Sequence, residues 1–133
     1  MIAVGDYYLH PIPELLVQVS CPFGGGVGGC REELCGVLGG AAIILGALWG
    51  RTTNAEDDKW LYEVVCAYRE RFIAAYGGTV CRPLRERYAE SDQRCGPLVE
   101  EGVRMLVEII EETADRLPEQ ARLARRAQRG DAQ

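Results

Sequence analysis

The chain has 133 residues, 47% of them apolar and 26% charged, which is the balance of one globular domain large enough to bury a core without disulfide staples. Its net charge of −5 argues against general nucleic-acid binding, which relies on basic surface to displace counterions from phosphates. The most apolar stretch, Val37 to Trp49, is 13 residues interrupted by three glycines, short of the roughly 20 needed to span a bilayer; no membrane insertion is expected.

Taken in chain order, Met1 to Pro13 carries aromatics, His10 and the prolines of "HPIP", a composition that favours an extended or turn-like start. No basic n-region precedes an apolar run there, so the chain shows no signal peptide and a cytoplasmic location is expected. "PELLVQVS" reads as one short helix with Pro13 at its first turn. The glycines between Gly24 and Gly29 then break regular structure, because fixing glycine in a helix or strand carries the largest entropy loss. A helix is expected from Arg31 to Trp49, with Glu32 and Glu33 in a first turn where the dipole favours anions. It is apolar on nearly every face after Leu34 and should be buried centrally.

After the polar turn "RTTNAEDD", a helix from about Ala55 to Tyr76 places Trp60, Leu61, Val64, Val65, Tyr68, Phe72 and Ile73 on one stripe. A short helix follows over roughly Val80 to Tyr88, then a long one from about Pro97 to Leu117 with Leu98, Val103, Leu106 and Ile110 inward. No stretch alternates like a strand. The expected fold is all-α: a small bundle of four to five helices, with a glycine-rich loop leading into a buried central helix. Residues 1–117 form the single helical domain, and 118–133 a basic tail with four arginines, read as a frayed or solvated helix.

Chemistry narrows by elimination. His10 is the only histidine and has no partner at metal-ligand spacing, so hydrolases that need a Ser–His or Cys–His pair are disfavoured. "GGGVGG" is followed by no Lys-Ser or Lys-Thr and preceded by no strand pattern, so neither phosphate-loop nor dinucleotide fingerprints are met. Six cysteines remain: Cys21, Cys30, Cys35, Cys66, Cys81 and Cys95. In a reducing compartment such a set points to metal or redox chemistry rather than to disulfides. No C-x-x-C pair is present, which disfavours thioredoxin-like exchange and zinc ribbons. Cys30, Cys35, Cys81 and Cys95 fall at or near expected helix starts, where N–H groups favour thiolates. They are the candidate soft ligands for iron. Gly24, Gly25, Gly26 and Gly36 would let bare backbone approach and donate to sulfur. Cys66, mid-helix between Val65 and Ala67, reads as packing.

The stretches "FGGGVGG…CGVLGGAAIILGALWG", "YGGTVCRPL" and "CGPLVEEGVRMLVEII" resemble the C-GCAxxG-C-C family of redox-active proteins over roughly residues 21–112. That family is marked by four cysteines and a C-G-A-x-x-G signature. By position, Cys35 with Gly36 and Gly40 matches the signature, with Val37 where it has alanine, and Cys81 and Cys95 match the third and fourth cysteines. The family's first cysteine lies in an N-terminal helix, and residues 1–20 contain none; Cys30 is taken in its place, with Cys21 as the substitute. A fourth ligand from a partner, or a set of only three protein ligands, stays open.

The resemblance implies redox function, and a related module in split-Soret cytochromes is associated with an iron–sulfur centre. This chain has no C-x-x-C-H motif for covalent haem. The expectation is an electron-transfer or redox-sensing protein with a 2Fe–2S or 4Fe–4S cluster and a redox partner protein or subunit, more a carrier than a stand-alone enzyme. A homodimer through the glycine-rich face is compatible with it. The alternatives are a metal-free thiol–disulfide protein and, behind that, a zinc-stabilised interaction module.

Overall fold

The computed structural model describes residues 1–116; the expected basic tail, 118–133, lies outside them. The described residues form six α-helices and no strand: α1 (Ile2–Leu9), α2 (Glu14–Ser20), α3 (Gly36–Trp49), α4 (Lys59–Tyr76), α5 (Cys81–Glu86) and α6 (Gly96–Ala114), with two 3₁₀ turns at Cys21–Phe23 and Val27–Gly29. The all-α reading holds, with six helices in place of four to five. None of them is long and apolar enough to cross a membrane.

The core follows from α3. Leu38, Ala41, Ile44, Leu45, Leu48 and Trp49 are all buried, because helices cover this rod from several sides. α4 and α6 pack against α3 and against each other, while α1, α2 and the first 3₁₀ turn cover its remaining flank. Tyr68, Phe72, Leu98, Leu106 and Ile110 fill the space between the three long helices. The Tyr68 hydroxyl donates to the Gly102 carbonyl at 2.9 Å, and outside the core Arg71 pairs with Glu112, so α4 and α6 are tied at two levels.

Two expectations are corrected. The N-terminus is helical, not extended. Val4, Gly5 and Tyr8 recur on one buried face of α1, and the prolines of "HPIP" lie beyond Leu9, where they end the helix rather than prevent it. The central helix begins at Gly36, not Arg31, so Glu32 and Glu33 are not in its first turn. Residues 31–35 instead run alongside 79–82: the Cys35 amide donates to the Thr79 carbonyl at 2.8 Å, the Cys81 amide to Glu33 at 2.9 Å and the Arg82 amide to Arg31 at 2.8 Å. Backbone groups satisfied by a partner segment have no need of a helical turn.

Candidate cysteine site

Each of three cysteines stands where a helix begins. Cys35 is the N-cap of α3, Cys81 the first residue of α5 and Cys95 the N-cap of α6. The paired segments 31–35 and 79–82 bring the starts of α3 and α5 side by side, and the packing of α6 on α3 brings the third. All three line one cavity of about 210 Å³. Its walls are otherwise mostly apolar, with Val37, Leu84, Leu98, Val103 and Leu106 facing it, and Tyr68 on the α4 side. Arg85 is the one charged side chain in the wall among the described residues.

Cys35 and Cys81 are buried, at 7% and 9% exposure, and Cys95 is half-buried. Burial pushes the Cys35 thiol above its ordinary value. The main-chain N–H groups of Val37 and Leu38 favour the thiolate and pull the other way, while the nearby sulfurs of Cys81 and Cys95 add to the rise. That mutual repulsion is the electrostatic mark of thiols gathered in one place. Burial likewise drives the Tyr68 phenol far above its ordinary range, with Cys35 as the next contributor.

Two glycines make the gathering sterically feasible. A Cβ on Gly36 would lie 2.3 Å from the Phe23 carbonyl oxygen, so only glycine lets the first 3₁₀ turn lie against the start of α3. Gly26 has φ 71° and ψ 177°, a region open essentially to glycine alone, and a Cβ there would lie 2.9 Å from the Arg31 Cα and 3.2 Å from the Cys81 Cβ.

The sequence candidates separate accordingly. Cys35, Cys81 and Cys95 come together, and Gly24 and Gly36 line the same cavity. Gly26 backs Cys81 from outside the wall, and Gly25 packs near Gly29. Cys30 is exposed just after the second 3₁₀ turn and is not in the wall. Cys21 is exposed too and lines an adjoining shallow cavity. Cys66, expected as packing, is exposed on the outer face of α4, a correction that follows from its neighbours Val65 and Ala67 being only half-buried. Sequence reasoning missed two wall residues. Tyr68 was legible only as part of the apolar stripe, and no sequence signal set Arg85 apart from Arg82 and Arg87.

The donor set can be weighed against candidate groups. Three thiols with no imidazole and no carboxylate in the wall are soft ligands, suited to iron–sulfur clusters more than to hard cations. Among the described residues no three Cys, His, Asp or Glu side chains are grouped to hold a single metal ion. A single ion needs every sulfur at about 2.3 Å from one point. A polynuclear cluster spreads its thiolates across its own width, and three thiols are, in donor chemistry, the ligand type such a group takes.

A helical bundle that gathers three helix-start thiols on one mostly apolar cavity is a cysteine-site protein. Residues 1–109 match the family model described as "Putative redox-active protein (C_GCAxxG_C_C)", and the chain belongs to that family. No curated protein and no solved structure matches the chain.

Proposed function

We propose that this is a small electron-transfer or redox-sensing protein whose Cys35, Cys81 and Cys95 hold an iron–sulfur cluster. The observation that carries the reading is the convergence of these three cysteines, from three separate helix starts, on one cavity. When bound, the cluster would supply one-electron chemistry. The protein's part is to provide thiolates, to exclude water with Leu84, Leu98, Val103 and Leu106, and to exchange electrons with a partner protein. Cys30 and its substitute Cys21, both outside the wall, are the sequence candidates for a fourth protein ligand, beside a ligand from a partner or a set of three.

A second reading is a metal-free thiol–disulfide couple formed within the same three cysteines. It is supported by the same convergence, since Cys35, Cys81 and Cys95 share one cavity and two thiols are enough for it.

Anaerobic purification, an ultraviolet–visible spectrum and iron and acid-labile sulfide counts on one sample separate the two. A brown protein with matched iron and sulfide, bleached by Cys35→Ser, Cys81→Ser or Cys95→Ser but not by Cys66→Ser, supports the cluster. A colourless protein that takes up no iron on anaerobic reconstitution rejects it and leaves the thiol–disulfide couple.

A further inference from the structure

Arg85 is set apart from the other arginines of the described residues by its place in the wall of the cysteine cavity. Arg82, three residues earlier, pairs with Glu32; Arg51 pairs with Asp58, Arg71 with Glu108 and Glu112, and Arg104 with Glu101. Arg85 makes no ion pair among the described residues, is half-buried, and lines the cavity that holds the cysteines. No carboxylate lines that cavity. On α5, Arg85 follows Cys81 by four residues, so both lie on the same helix face. A guanidinium stays charged at any pH the fold tolerates. Low-dielectric walls focus the field of such a fixed charge on whatever shares the cavity.

We propose that Arg85 is an electrostatic determinant of the redox site, its fixed positive charge in the cavity wall favouring the reduced, more negative state of the cysteine-held centre. The inference rests on the reading of Cys35, Cys81 and Cys95 as a redox site, but not on the centre being a cluster. In the cluster case, reduction adds one electron from an external donor with no bond made or broken, and the added negative charge is stabilised by Arg85. In the thiol–disulfide case, an external dithiol is oxidised to its disulfide while the protein's S–S bond breaks and takes up two electrons. Arg85 then stabilises the thiolate form of the product.

The test is an anaerobic redox titration of the full chain as wild type, Arg85→Gln, Arg85→Lys and the control Arg104→Gln, whose arginine is paired with Glu101 on the exposed outer side of α6. The spectrum is followed if a cluster is present; if none assembles, the Cys35/Cys81/Cys95 disulfide is quantified against a glutathione buffer. Arg85→Gln is expected to lower the equilibrium constant for reduction roughly three- to tenfold, a size set by one charge acting through a partly solvated site. Arg85→Lys should retain most of the wild-type value, and Arg104→Gln all of it. An unchanged or more easily reduced Arg85→Gln overturns the proposal, as does an equal shift in Arg104→Gln. Absence of a cluster removes the cluster reading alone. A wild-type protein forming neither cluster nor disulfide removes both.

Discussion

The Cys35 amide donates to the Thr79 carbonyl oxygen at 2.8 Å, which fixes the start of α3 against the segment that leads into α5. The reciprocal bond from the Cys81 amide to Glu33 lies 2.9 Å long on the other side of the Leu34–Val80 bridge. Two cysteines 46 positions apart in the sequence are thereby held by main-chain geometry.

Thiol reactivity should divide along the cavity boundary. In the folded, metal-free protein Cys21, Cys30 and Cys66 are exposed, Cys95 is half-buried, and Cys35 and Cys81 are buried. Timed alkylation with peptide mass spectrometry is expected to label the first three fastest, Cys95 next, and Cys35 and Cys81 last. Labelling of Cys35 as fast as Cys66 would contradict the burial of Cys35.

One substitution should change sign along α3. Gly36→Ala would put a methyl group 2.3 Å from the Phe23 carbonyl oxygen and force the 3₁₀ turn away, at a loss of about 1–3 kcal/mol. At Gly46 nothing lies within 4 Å of an added Cβ, so alanine should gain about 0.5–1 kcal/mol from lower unfolded-state entropy. Urea denaturation of both variants checks the pair, and destabilisation of equal size in both would contradict it.

Gly26→Ala should couple stability to the site. Its glycine-only conformation implies about 1–3 kcal/mol of strain with any other residue, and the new methyl would press on the Arg31 backbone and Cys81. The expected outcome is a lower urea midpoint together with faster alkylation of Cys81. A midpoint unchanged from wild type would show that the loop does not back the cysteine.

Alkaline pH should weaken the metal-free fold. The Tyr68 phenol is raised well above its ordinary 10.0 and the Cys35 thiol above 9.0, both first by burial. In each case the folded state holds its proton more tightly than the unfolded chain. The resulting stability is therefore complete below the unfolded value and is lost as pH climbs from there towards the folded value. Unfolding free energy should fall from about pH 9 upward. Tyr68→Phe removes the bond to Gly102, costing about 1 kcal/mol at pH 7, but should flatten the decline above pH 10. A variant that declines as steeply as wild type would exclude Tyr68 as the source.

Helix content and the position of Cys35, Cys81 and Cys95 at helix starts were legible because periodic apolar stripes and glycine or proline punctuation are local signals. The start of α3 was not. Glu32 and Glu33 look like a helical first turn, and only the long-range pairing of 31–35 with 79–82 overrules that preference. For the same reason Cys30 read as a helix-start thiol beside Cys35: the two are five positions apart, yet Cys35 caps the core helix and Cys30 sits exposed just after a 3₁₀ turn. α1 was missed because eight residues carry little intrinsic helical tendency, and its stability comes from Val4 and Tyr8 docking in the core. Arg85 needed the cavity itself to be seen, since no sequence rule distinguishes it from Arg82 or Arg87.

The clasp between 31–35 and 79–82 is written chiefly in peptide groups, with one side-chain ion pair, Arg82–Glu32, beside them. Arg31, Glu33 and Thr79 contribute carbonyl oxygens, and Cys35, Cys81 and Arg82 contribute amides. The letters at Glu33 and Thr79 can therefore drift while the spacing of Cys35 and Cys81 stays put, whereas an inserted or deleted residue in either segment would shift the register of every bond at once. A designer wishing to move the two sulfurs relative to one another would change the length of these strips and leave their composition alone.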